Sequence, residues 1–167
     1  LFVTSTRVGD AILSTGLLNK AISDYPKIEI TIACGPAAAP LFQNVPNLKR
    51  IVVLDKMLFS LHWLRLWFLC LGSYWDLVID LRNSPITYLL LRGKRRGVRS
   101  DTGSERRIES LARVLDAENI PSPYLWTGEH EENLADRLIP DGEPVLAVGP
   151  TANWRAKTWR AENFAEL

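Results

Sequence analysis

Four short apolar runs, each followed by a segment of helical or turn-rich character, constrain this chain more than any other feature. Leu1-Phe-Val-Thr-Ser, Ile28 to Cys34, Arg50 to Asp55 and Asp76 to Leu81 read as strands. The last of them, Asp-Leu-Val-Ile-Asp-Leu, is continuous and β-branched at its centre, as a strand buried on both faces should be. From Ala11 to Asp24, apolar residues recur at Ile12, Leu13, Leu17, Leu18, Ala21 and Ile22, which is the spacing of one helix face. Tyr25-Pro26 stops that helix. Ala37 to Asn44 predicts a short helix, Met57 to Leu71 a longer one, and Ile86 to Leu91 another short one. Gly97-Val98 reads as a brief fifth strand. Consecutive parallel strands need a crossover segment between them, and regular alternation of strand and helix supplies it. The fold class is therefore α/β, built of βαβ crossovers on a parallel sheet.

Beyond the sheet, residues 99–106 are polar and expected to be mobile. Arg107 to Ala117 and Glu129 to Leu138 predict helices, with Asn119-Ile-Pro-Ser-Pro-Tyr as a linker and Pro140-Asp-Gly as a loop. Pro144 to Val148 reads as a new apolar strand. This gives a first domain over 1–120, a linker and helix over 121–143, and the start of a second α/β domain over 144–167. The closing segment from Ala161 is a helix in its first turns, with Phe164 and Leu167 uncovered. That predicts a second domain cut short. Leu1 is not an initiator Met, which predicts the same of the start. Net charge is +1, so no strong field selects nucleic acid as a partner. Cys34 and Cys70 lie in apolar segments without CxxC spacing and read as core residues of a reducing, cytoplasmic protein. His62 and His130 share no metal-ligand spacing, so no metal site is expected.

Three groups of residues could carry chemistry. Asp10 follows the first strand, and ligands of open α/β sheets collect outside the carboxyl ends of strands. Its carboxylate can cap the following helix or act as a general base. Arg7 and Gly9 frame it, Gly9 permitting close backbone approach or positive φ. The turn lacks GxGxxG, which disfavours a nicotinamide-dependent dehydrogenase. Lys157 lies in a loop with Thr151 and Asn153 ahead of the last helix, between Trp154 and Trp159. Ammonium, hydroxyl and amide groups beside a helix N-terminus suit a phosphate or pyrophosphate. Arg92, Lys94, Arg95, Arg96 and Arg99 form a basic cluster, with Arg106 and Arg107 following closely; it reads either as solvated surface or as a mobile loop that holds phosphorylated lipid or sugar. The Met57–Leu71 segment is too short to span a bilayer; it reads either as core or as an interfacial helix with aromatic residues at headgroup level.

The opening Phe2-Val-Thr-Ser-Thr-Arg-Val-Gly-Asp-Ala-Ile-Leu-Ser-Thr-Gly-Leu-Leu resembles the first strand, loop and helix of the family 9 glycosyltransferases, the lipopolysaccharide heptosyltransferases. The closing Gly149-Pro-Thr151 through Lys157-Thr-Trp-Arg-Ala-Glu-Asn-Phe is similar to that family's loop of small and hydroxyl residues, Lys, x, Trp, then helix. Cys34-Gly-Pro-Ala-Ala-Ala-Pro-Leu-Phe and Trp75-Asp-Leu-Val-Ile-Asp-Leu-Arg match its cadence. Thr158 and Arg160 stand where the family more usually has Arg and Pro, and Gly149-Pro150 where a His-Pro-Gly triplet is common. The resemblance implies a GT-B architecture, two Rossmann-like domains with the active site between them. It implies an inverting, metal-independent transfer of heptose or a related sugar, from a nucleotide sugar such as ADP-heptose to a phosphorylated lipid A–inner-core acceptor. Asp10 then resembles the catalytic base, and Thr151 and Lys157 the residues that engage the donor phosphates. Arg7, Gly9, Arg95 and Arg96 become acceptor-binding candidates. No cofactor is implied beyond the co-substrate, and the inner face of the cytoplasmic membrane becomes an expected partner. A second reading, a membrane-associated saccharide-binding or assembly protein of the same fold, is disfavoured by the presence of both Asp10 and Lys157.

Overall fold

The computed structural model describes residues 1–55, 57–98, 106–139, 142, 144–152 and 154–166. The chain divides into two units, Leu1–Gly128 and Glu129–Leu167.

The first unit is built on five parallel strands: β1 (Phe2–Val3), β2 (Ile30–Cys34), β3 (Leu48–Val53), β4 (Trp75–Asp80) and β5 (Arg92–Gly97), in the spatial order β3-β2-β1-β4-β5. This is the α/β domain with a parallel sheet that the alternation of elements predicts, and the Rossmann-like domain that the resemblance implies. Side chains alternate across the pleat and so sort into two cores. Phe2, Ile32, Cys34 and Ile79 face one side, where Ala11, Leu17, Leu18 and Ala21 of α1 (Val8–Asp24) cover them. Val3, Ala33, Val52 and Val78 face the other, under Leu66 and Cys70 of α2 (Leu61–Cys70). The first core is completed by Phe42, from the 3-10 turn Ala39–Phe42, and by Leu111 and Val114. Leu111 belongs to α3 (Arg107–Ala112) and Val114 to the 3-10 turn after it.

Four local expectations change. The Met57–Leu71 segment is not one helix. A 3-10 turn, Leu58–Ser60, precedes α2, and Phe59 and Ser60 both hold left-handed backbone angles, φ 52° and 59°, which interrupt the helical hydrogen-bond series. The basic cluster is not a loop: Arg92 to Gly97 form the whole of β5, at the edge of the sheet. Long cationic side chains on an edge strand oppose pairing with another chain, and the rule that charged runs are surface loops ignores that use. Arg99 and residues 100–105 lie outside the described residues. The expected linker at 119–124 is packed against α1. The Tyr124 N–H donates to Thr15 Oγ1 at 2.9 Å, and Trp126 packs on the first core. The crossing is so close that a Cβ on Gly16 would stand 2.5 Å from the carbonyl oxygens of Pro121 and Ser122. Finally, Pro144–Val148 pairs with no strand among the described residues. Apolar, β-branched character favours a strand only when a neighbour supplies the ladder, and Leu146 is 72% exposed.

The second unit holds α4 (Glu129–Leu138), a 3-10 turn at Arg155–Lys157 and α5 (Ala161–Ala165). Glu129, Glu131 and Glu132 occupy the first turn of α4 and Arg137 the last, the order of charge that suits the helix dipole. Trp159 packs edge-on against Phe164, ring centroids 4.9 Å apart.

Candidate functional site

In the order β3-β2-β1-β4-β5 the chain moves outward from β1 in one direction and then, from β4, in the other. Loops leaving β1 and β4 therefore diverge and open a crevice at the carboxyl ends of those two strands. A cleft of about 310 Å³ lies there, lined by Thr4, Ser5, Asp10, Leu81, Arg82, Arg107 and Leu111. Thr4 and Ser5 come from the end of β1, Leu81 and Arg82 from the end of β4, and Arg107 and Leu111 from α3.

Asp10 is in the first turn of α1 rather than in the loop before it, because the helix starts at Val8. Arg7 occupies the N-cap position without a side-chain capping bond. Among the described residues the Asp10 carboxylate has one hydrogen bond, from Ser5 Oγ to Oδ2 at 3.5 Å, and it is half-buried. It is therefore not engaged as a cap, and it faces the cleft. The floor beneath it is rigid. Thr4 Oγ1 and Ser14 Oγ share a buried hydrogen bond of 2.7 Å that ties the end of β1 to α1. Gly35 lets the β2 end approach the β1 loop so closely that a Cβ would sit 2.6 Å from Thr6 Cα. Gly9 is helical, and a Cβ there would meet nothing within 4 Å, so positive φ is not its use.

On the β4 side the organising group is Asp80, wholly buried. Its carboxylate accepts hydrogen bonds from Arg82 N–H at 2.9 Å, Ser84 N–H at 2.8 Å and Thr87 Oγ1 at 2.7 Å. An ion pair with Arg95 Nη2 at 3.2 Å neutralises it. Arg95 also donates to Thr87 Oγ1 and lies 3.9 Å from the Tyr88 ring centroid. A buried charge persists when it is paired and its remaining lone pairs are satisfied, which is the case here. The network fixes the turn that presents Arg82 to the cleft.

This places the other candidates. Arg95 is bound into the Asp80 network, and Arg96 pairs with Asp116 at 2.8 Å. Neither lines the cleft. Arg92 donates to the carbonyls of Tyr88 and Leu90, and Arg50 to that of Leu69. Arg82 and Arg107, by contrast, have no side-chain partner among the described residues, and both reach the cleft. Sequence reasoning did not single out Arg82, and it noted Arg107 only as following the basic cluster. The signal was available, since the rule that ligands gather at carboxyl ends of strands applies to the residue after β4 as well as to the loop after β1. Asp80 also announced itself, as a carboxylate inside an apolar strand followed by Ser-Pro and Thr, residues that form side-chain-capped turns.

In the second unit Thr151 is exposed in a stretch without regular secondary structure, and Lys157 ends the 3-10 turn, its N–H donating to the Trp154 carbonyl at 2.9 Å. Trp154 and Trp159 are both exposed. Asn153 lies outside the described residues. Asp10 and Lys157 thus belong to different units.

The first unit defines a class by its fold, a Rossmann-like domain with a polar crevice at its switch point. Among solved structures, the chain is similar to a glycosyl transferase family 9 protein from Veillonella parvula, with a TM-score of 0.73 at 17% sequence identity. The likeness covers 99% of this chain and 57% of that one, so the chain spans little more than half the length of the structure it matches. No protein-family model matches the sequence, and no curated protein matches it either.

Proposed function

We propose that this chain is the acceptor-side part of an inverting glycosyltransferase, followed by the beginning of its donor side. The observation that carries the reading is the half-buried Asp10 carboxylate. It faces a crevice at the switch point of a Rossmann-like sheet, in a chain whose fold extends over 99% of its length to a family 9 glycosyl transferase. In the proposed step Asp10 accepts the proton of an acceptor hydroxyl as that oxygen attacks the anomeric carbon. The bond from the anomeric carbon to the nucleoside diphosphate breaks, and its electron pair leaves with the diphosphate. Lys157 and Thr151 are the candidates to meet the charge that develops there. Arg82 and Arg107 give the acceptor end of the cleft a positive lining, which suits an anionic acceptor and replaces Arg95 and Arg96 in that role. Of the acceptors implied by the resemblance, a phosphorylated lipid A–inner-core saccharide has the required charge, with ADP-heptose as the matching donor and no metal in the step. Such a protein would work in the cytoplasm or on the inner face of its membrane.

The alternative, a saccharide-binding protein without catalysis, predicts the same cleft and a dispensable Asp10. The two separate in one experiment on the full-length protein. Asp10→Asn should leave folding and nucleotide-sugar affinity intact and lower turnover by roughly two to four orders of magnitude. Near-normal turnover would return Asp10 to a structural role.

A further inference from the structure

We infer that Ser5 is the positioning residue of the proposed base. It keeps the Asp10 carboxylate out of a helix cap and leaves Oδ1 as the oxygen that meets the acceptor hydroxyl. This role rests on the reading of Asp10 as a base.

α1 starts at Val8 behind the N-cap residue Arg7, so Asp10 is the third residue of the helix. A carboxylate at that position ordinarily reaches back to the N–H of the N-cap residue and closes a capping box. The same molecule shows the ordinary outcome at α3. There the N-cap residue is also an arginine, Arg106, and its N–H donates to Oε2 of Glu109, the third residue of that helix, at 3.1 Å. At α1 the N–H is already taken. Arg7 N–H donates to Ser5 Oγ at 3.2 Å, the turn that a serine side chain forms with the N–H two residues on. A hydroxyl has one proton to give. With the Arg7 N–H on one lone pair of Ser5 Oγ, that proton goes to Asp10 Oδ2, 3.5 Å away. Hydrogen bonds of catalytic groups are often long before substrate binds.

Ser5 itself is held from the sheet and not from the helix. The Gly35 N–H at the end of β2 donates to the Ser5 carbonyl at 3.4 Å, and Thr4 N–H donates to the Ala33 carbonyl at 2.9 Å. Ser5 and Asp10 are both half-buried and both line the cleft. The two carboxylate oxygens are therefore unequal. Oδ2 answers to Ser5, and Oδ1 has no partner among the described residues, so it is the one left to accept a proton from a bound hydroxyl.

Ser5→Ala removes the acceptor that holds Arg7 N–H, and Asp10 should then close the box. NMR of the 167-residue chain reads this without any activity. As carboxylates ionise, the Arg7 amide shift should respond to Asp10 far more in Ser5→Ala than in the unaltered chain. The extra response should vanish when Asp10→Asn is added. Thermal unfolding of Ser5→Ala should be unchanged or raised, because a cap replaces a turn. In the full-length protein, with ADP-heptose and a phosphorylated lipid A–inner-core saccharide as substrates, Ser5→Ala should lower kcat by about ten- to a hundredfold and leave KM for ADP-heptose nearly unchanged. Ser5→Thr keeps the hydroxyl and should restore most of that rate. In the Asp10→Asn background Ser5→Ala should cost nothing further. An Arg7 amide that ignores Asp10 in Ser5→Ala, or a lowered melting temperature, would overturn the inference. So would an undiminished Ser5→Ala loss on top of Asp10→Asn, which would mean that Ser5 touches the acceptor itself. Near-normal turnover in Asp10→Asn alone would instead remove the base, while the amide experiment would still report whether Ser5 keeps the carboxylate uncapped.

Discussion

On one face of the sheet α1 buries Ala11, Leu17, Leu18 and Ala21 and turns the Lys20–Asp24 ion pair and Ser23 outward, while the segment 121–126 closes over Thr15 and Gly16. On the other face α2 buries Leu66 and Cys70 and turns Leu61, Leu64 and Phe68 outward, all three exposed. The inner sides answer the same demand, to cover apolar strands. The outer sides do not, and folding cannot account for the difference, because exposed leucine and phenylalanine contribute nothing to the core.

The largest effects should fall equally on the two inner sides. Leu17→Ala and Leu66→Ala each empty a fully buried site, and each should cost about 2–5 kcal/mol in denaturant unfolding. Leu64→Ser on the outer side of α2 should stay within about 0.5 kcal/mol. If Leu66→Ala costs no more than Leu64→Ser, α2 is not anchored to the sheet and the comparison of faces fails.

A smaller effect tests the cover over α1. Gly16→Ala places a methyl against two backbone carbonyl oxygens, which cannot move aside as a side chain would. About 1–3 kcal/mol of destabilisation is expected, with loss of amide protection at Tyr124. Protection that persists would mean that 121–126 lies farther from α1 than the Tyr124–Thr15 bond implies.

The α1 side was legible in the sequence because its helix has a polar outside, so the period of its apolar residues marks the inward face. On α2 that contrast is missing: from Leu61 to Leu71 apolar residues point everywhere, and periodicity could not separate core from surface. The same limit hid the break at Phe59 and Ser60, since neither residue favours a left-handed backbone. Only the end of β5, at Gly97, was legible as a strand, because the Arg and Lys before it carry no strand signal, although its neighbour β4 fixes Arg92–Gly97 as an edge strand. At the site, position along the first strand was enough to single out Asp10. Arg82 and Arg107 needed the sheet order, because α3 and the β4 turn meet only in three dimensions.

The smallest effect lies in the two thiols, which report on the two faces separately. Cys34 ends β2 in the core under α1, and Cys70 ends α2 in the core beneath it. Burial pushes the Cys34 thiol up from its ordinary 9.0 to about 11. Cys70 is raised as well, mainly by burial, with Arg50 and the chain's amino terminus opposing the rise. A raised thiol stays protonated in the folded state while its unfolded counterpart ionises. The unfolded chain therefore loses its proton first, and the fold's stability should decline as pH rises from about 9 towards about 11, with no contribution from these groups below that window. At pH 8 a thiol reagent should react slowly with the native chain and rapidly with the chain in denaturant. Cys70 should react first, by a factor on the order of ten, because it lies in the last turn of its helix, where opening needs only fraying. Leu66→Ala should raise the Cys70 rate and leave the Cys34 rate nearly unchanged. Equal acceleration of both would mean that the two cores open together, and that the faces, however different outside, form one cooperative unit.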